Sequence, residues 1–159
     1  MRKLLCASMA FLLATATALA AAPRLSANLF AWAKQAVYSL SEGDYDALAA
    51  LPFSKDAPDT QLWQSLAQRF ADLTDVQTDY AVGFWTGSIW VIAVPIQPPD
   101  NGSVEVLAFS SADGTTFNGC RYAIWSQIEG AYCDSTQVIW DQEYIGNSAT
   151  VLADLGNPE

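Results

Sequence analysis

The stretch "IWVIAV", residues 89–94, constrains the fold more than any other in the chain. Along an extended strand, successive side chains point to opposite faces. Here Ile89, Val91 and Ala93 fall on one face, and Trp90, Ile92 and Val94 fall on the other. Both sets are apolar, so both faces of the strand must be kept from water. Helices can cover one of them. The second needs a curled sheet, further chain or a partner. Pro95 follows at once; it has no N–H for a ladder and is expected to mark a bend or the end of pairing.

The preceding residues supply helices. Between Leu25 and Leu40, the apolar residues Leu25, Leu29, Ala33, Ala36, Val37 and Leu40 recur at steps of three and four, which makes one face of an amphipathic helix. Gly43 is a stop, since glycine readily takes the left-handed conformation beyond a last turn. Asp44 is placed to cap a shorter helix, "YDALAAL", that ends before Pro52. "FSKDAPD" reads as a loop. A third helix is expected from Asp59 or Thr60, with Leu62, Leu66, Phe70 and Leu73 on one stripe and Trp63 beside it.

After Asp79 the period becomes extended. "YAVGFW" and "IWVIAV" flank the short turn Thr86-Gly87-Ser88, "VEVLAF" follows a Pro98–Gly102 break, and Asp113-Gly114 signals a hairpin. "CRYAIW" and "TQVIW" add two strands. We therefore expect an α+β fold: two to three N-terminal helices packed on a curved, mainly antiparallel sheet of about five strands. Helices followed by such a meander, with "EGDYDAL" after the first helix, resemble the layout of cone-shaped NTF2-like and cystatin-like domains. The resemblance is one of layout and implies no function.

The chain opens "MRKLLCASMAFLLATATALAAAPR". Arg2 and Lys3 precede an apolar run from Leu4 to about Leu19, and Ala18-Leu19-Ala20 has the small residues that signal peptidase accepts. This is the form of a secretory signal peptide, with an apolar core short for a membrane span. The expected organisation is a signal peptide at residues 1–20, cleaved within about 20–22, and a single α+β domain at residues 21–159. The expected location is periplasmic or secreted, with no integral membrane segment once the signal is removed.

Charge narrows the partners. The 159 residues hold 17 acidic and seven basic side chains, a formal charge of −10, and every acid lies beyond residue 20. Such a chain has no cluster of cations to replace phosphate counterions, so nucleic acid is not an expected partner. A basic protein is. Histidine is absent altogether, which removes Ser-His-Asp and Cys-His catalysis, histidine metal sites and the usual near-neutral proton shuttle.

The remaining constellations favour structure over chemistry. Glu42, Asp44 and Asp46 sit at a helix junction, where capping and solvation explain them better than a glycosidase pair does. Asp72, Asp75 and Asp79 read as a wet helix end, and neither set has the ligand spacing of a calcium loop. No G-x-S-x-G turn, S-x-x-K motif or phosphate-cradling glycine loop is present. Asn101-Gly102-Ser103 matches a glycosylation sequon, but turn geometry explains it. Arg121, the only basic residue after Arg69, is expected either to pair with a carboxylate or to anchor a ligand. The six tryptophans either fill a core or line an apolar pocket, and periodicity does not separate the two.

Cys120 and Cys133 are the only cysteines outside the leader, and in an oxidising compartment an isolated pair is expected to close. A two-residue hairpin centred on Glu129-Gly130 would put them six residues out of register, roughly 20 Å along the strands. A disulfide needs Cα atoms within about 7 Å. The staple therefore requires a shifted turn or a wider loop at "SQIEG". Two thiols without histidine do not make a zinc site, and no metal or cofactor is expected.

Together these features suggest an exported, acidic, non-enzymatic binding domain, of the kind that inhibits or confers immunity against a basic envelope or secreted protein. The loops "QPPDNGS" and "SSADGT" supply its expected binding residues, Pro99, Asp100, Asn101 and Asp113, together with Arg121. One alternative is an NTF2-like small-molecule-binding cone, which as an enzyme would use a buried carboxylate. Another is an accessory subunit of an envelope assembly, with the second face of residues 89–94 packed on another chain.

Overall fold

The computed structural model describes residues 21–55, 58–70, 81–96, 103–132, 135 and 137–141. The two-faced strand, β2 (Trp90–Ile96), lies at the centre of a five-stranded sheet in the order β4-β3-β2-β1-β5. Its companions are β1 (Val82–Trp85), β3 (Glu105–Ser111), β4 (Gly119–Ile124) and β5 (Gln137–Trp140), and every pairing is antiparallel. Three helices precede the sheet: α1 (Ala27–Glu42), α2 (Tyr45–Ala49) and α3 (Thr60–Phe70). A fourth, α4 (Trp125–Tyr132), lies between β4 and β5. The expected α+β layout is thus the observed one. None of the described helices is long and apolar enough to cross a membrane.

The N-terminal helices form for the reasons their sequence implies. Ser26 caps α1 by accepting from Asn28 N, and Gly43 ends it at φ 69°. Asp44 Oδ1 accepts from Ala47 N at 3.0 Å to start α2, and Asp59 Oδ1 accepts from Leu62 N at 2.8 Å to start α3. Along α3 the buried stripe is Trp63, Leu66 and Phe70; Leu62, expected on the stripe, is exposed instead. The larger indole takes the inward position, one residue round the helix. Leu73 lies outside the described residues.

Strand alternation sorts the sheet's side chains into two layers. Trp90, Ile92, Val94, Ile96, Leu107 and Phe109 point toward α1–α3, where Leu29, Val37, Leu66 and Phe70 meet them. Val82, Phe84, Val91, Ala93, Val106, Ala108 and Ala123 point the other way, against Trp125 and Ile128 of α4. Of the three possible covers for the second face, the chain uses its own further residues. Burying a large apolar side chain is worth about 1.5–3 kcal/mol, so the layer beneath α4 contributes substantially to the fold.

Helix α4 replaces the wide loop expected at "SQIEG". Trp125, Ile128 and Tyr132 recur at helical spacing and face the sheet, and Gln127 Oε1 accepts from Ile124 N at 3.3 Å at the helix start. The helix also changes the partner of the last strand. "TQVIW" does not return beside β4 but pairs with β1, in the register Phe84↔Val138, so α4 carries the chain from one edge of the sheet to the other. Pro95 marks half of what was expected of it: the ladder to β1 ends at Ala93, whereas Pro95 still lies opposite Val106 of β3.

The β3–β4 connection is a loop of residues 112–118, not a two-residue turn, and it holds the N-terminal segment. Ser26 N donates to Gly114 O at 2.8 Å, and Trp90 Nε1 donates to Pro23 O at 2.8 Å. Gly114 has φ 74°, and a Cβ there would overlap the Arg24 carbonyl. Gly43 also has positive φ but faces open space. Chemical denaturation should therefore separate the two: Gly43→Ala should cost about 1 kcal/mol of backbone strain, and Gly114→Ala distinctly more. Equal losses would show that the contact with Arg24 carries no weight.

Candidate functional site

Helix α4 has eight residues and spans roughly 12 Å, while the seven-residue strands β2 and β3 run roughly 23 Å. The helix starts after Ile124 of β4 and ends over β1, where Tyr132 stacks on Phe84. What it leaves uncovered is a groove of about 330 Å³. Ile89, Val91 and Ala108 give it an apolar floor, Ser110 and Arg121 stand along one side, and Tyr132 forms a wall at the end of α4. The register Ala108↔Arg121 puts the guanidinium on the α4 face of β4. Tyr132 is steadied by stacking on Phe84, with centroids 5.9 Å apart and planes 25° from parallel.

Arg121 is exposed, and among the described residues it makes one long contact, Nη2 donating to Tyr132 Oη at 3.4 Å. None of the described carboxylates lies within ion-pair distance of it. A guanidinium carries five N–H donors, so most of its donor capacity faces the groove and solvent. Of the two expectations for Arg121, the described residues provide the cavity wall and not the ion pair.

Asp113 serves its own loop. Its Oδ1 accepts from Thr115 N at 2.7 Å and Thr116 N at 2.8 Å, and its Oδ2 accepts from the Thr116 hydroxyl at 2.8 Å. Asn118 closes the loop by accepting from Ala112 N at 2.6 Å, and its amide donates to Ser54 Oγ at 2.9 Å. Desolvation by itself would raise the Asp113 carboxyl, but the bonds from Thr115 and Thr116 outweigh it and hold the group well below the usual carboxylate range. Asp113 does not line the groove beside Arg121. Pro99, Asp100 and Asn101 lie outside the described residues.

Cys120 is a free thiol, and Cys133, its expected partner, lies outside the described residues. The register Phe109↔Cys120 turns the Cys120 side chain toward the α1–α3 layer, whereas Tyr132, the last residue of α4, packs on the opposite face. Burial raises the Cys120 thiol above its ordinary range and so disfavours the thiolate at neutral pH. Glu42, Asp44 and Asp46 are all exposed, with Asp44 occupied as a cap. Among the described residues, no group of three or more acidic or sulfur ligands is gathered for a metal.

The wall and floor of the groove escape a strand-by-strand reading of the sequence. Ser110 and Tyr132 are unremarkable in isolation, and only the Trp125-Ile128-Tyr132 spacing carries a signal, as a helical stripe. No family model, curated protein or solved structure matches the chain.

Two outcomes test this geometry. Because the Asp113 carboxyl is lowered in the folded state, its contribution to stability is complete above its unfolded value of about 3.9 and is lost as the pH falls below that toward the lowered folded value. Asp113→Asn should therefore flatten the acid limb of a stability–pH curve below about pH 4; an unchanged limb would show that the loop bonds are not maintained. Separately, Cys120 should react with iodoacetamide more than about tenfold slower in the native protein than in urea. A cysteine that stays unreactive in urea until reductant is added would show that its thiol is held in a disulfide.

Proposed function

We propose that this chain is an exported, acidic, non-enzymatic binding domain whose partner is a basic protein of the cell envelope or the secreted fraction. An inhibitor or immunity-type protein is the concrete form of this proposal. The observation that carries it is how few of the described carboxylates are neutralised by an ion pair. Lys34 is committed to Asp141 at 2.6 Å, whereas the exposed carboxylates of Glu42, Asp44, Asp46, Asp59 and Asp113 form no ion pair with a described residue. An uncompensated negative surface raises the encounter rate with a cationic partner and leaves specificity to local contacts. The leader-like sequence of residues 1–20 supports export, and the absence of histidine supports binding over catalysis.

The NTF2-like cone has less in its favour. Its ligand would occupy the space between helices and sheet, and here that space holds Trp90, Phe70, Phe109 and Phe117, each 0–1 % exposed. Among the described residues the buried polar residues are Ser39 and Ser111; one oxygen each of Glu105 and Asp141 is also buried, on side chains that are otherwise partly exposed. The accessory-subunit alternative loses its main motive, since α4 already covers the second face of β2.

Affinity capture from envelope fractions and culture fluid, followed by mass spectrometry and stopped-flow mixing with the captured protein, tests the proposal. The partner should be basic, and its association rate should fall at least about tenfold between 20 and 200 mM salt. A rate indifferent to salt, or an acidic partner, would sink the idea.

A further inference from the structure

We propose that the groove beside Arg121 is a binding site for a small free carboxylate with an apolar body, of the size of an aryl or short alkyl monocarboxylic acid. The inference does not rest on the acidic surface or on a protein partner; it arises from the opposite charge on a different part of the molecule.

Three observations converge on this ligand. The first is the open valence of Arg121. In a chain with 17 acidic residues, this guanidinium's one contact among the described residues is the 3.4 Å bond to the Tyr132 hydroxyl, and no described carboxylate reaches it. A planar guanidinium matches a carboxylate with two parallel N–H···O bonds, a geometry that an ammonium cannot supply. The Tyr132 hydroxyl, already directed toward Arg121, is a second donor for the same oxygen pair.

The second observation is the floor. Half-buried Ile89, with the buried Val91 and Ala108 beneath it, lines the groove next to the cation, and Tyr132 adds an aromatic wall stacked on Phe84. An apolar body laid on that floor leaves water while its charged end stays at the guanidinium, which is the usual composition of a ligand site: mostly apolar lining with few polar groups.

The third is size and net charge. A volume of about 330 Å³ lies at the lower end of the range for ligand sites, enough for one ring or a short chain. One cation in a strongly negative molecule favours a monoanion over phosphate esters or nucleotides, whose extra charges would meet repulsion and find no second cation among the described lining residues.

Nuclear magnetic resonance titration of the isotopically labelled full chain tests the assignment, with phenylacetate and hexanoate as probes and phenylacetamide and hexanamide as neutral controls. Both acids should shift the amide resonances of Val91, Ala108 and Ser110 with dissociation constants of about 1 mM or tighter, and should bind about five- to tenfold better than their amides. Arg121→Met should reduce acid binding to the level of the amide, while Tyr132→Phe should weaken it only about twofold. Arg121 is exposed, so the circular dichroism spectrum should be unchanged; Arg121→Lys, which keeps the charge but loses the planar fork, should give intermediate affinity. Equal binding of acid and amide, acid binding indifferent to Arg121→Met, or no shifts up to about 20 mM would each overturn the proposal. So would a short peptide ending in phenylalanine that binds more than about tenfold tighter than phenylacetate through its terminal carboxylate, because the occupant would then be a protein terminus.

Discussion

Water must be kept from both faces of β2, and the rest of the structure follows from how the chain meets that demand. Its first apolar face draws in the three N-terminal helices, whose inward stripes close over Trp90, Ile92 and Val94. Its second face is met by α4, whose Trp125 and Ile128 join Val82, Ala93, Val106 and Ala123 in one buried cluster. Because α4 is made from the connection leaving β4, covering that face also commits the chain to cross the sheet, and β5 becomes the partner of β1. Beside that helix, next to Ile89 and Arg121, a groove remains. Core packing and the candidate site are thus one solution to a single problem.

Much of the helical layer could be read directly from residues 25–70. Ser26, Asp44 and Asp59 cap, Gly43 terminates, and apolar residues at steps of three and four face inward. Such signals act over one or two turns and need no knowledge of the remainder of the fold. Trp63 and Leu62 show the margin of error: neighbouring apolar residues on a helix are about 100° apart, and only packing decides which is buried.

The second half was legible as strands but not in its connections. Trp125 at the end of "CRYAIW" can close a strand or open a helix, because one apolar residue fits both periods. Counting it with the strand hides its relation to Ile128 and Tyr132, and with it α4, the crossover and the groove. Asp113-Gly114 has the composition of a tight hairpin, yet the Asp113 carboxylate satisfies the amides of Thr115 and Thr116 and so supports a longer loop. Arg121 was visible as an isolated cation; its surroundings depend on three strands and a helix that are distant in sequence. Local chemistry is written locally, while a site assembled across a sheet is not.

The N-terminal segment has a consequence for the order of events as the chain leaves the ribosome. Pro23 accepts its hydrogen bond from Trp90, 67 residues later, Ser26 donates to the loop at Gly114, and Lys34 waits for Asp141. Helix α1 can wind early from its own caps, yet its apolar face has no sheet to meet until β2 and β3 are made. Contacts of such sequence separation slow folding and leave apolar surface open in the meantime. The first helix of this protein is therefore the first to form and among the last to be secured.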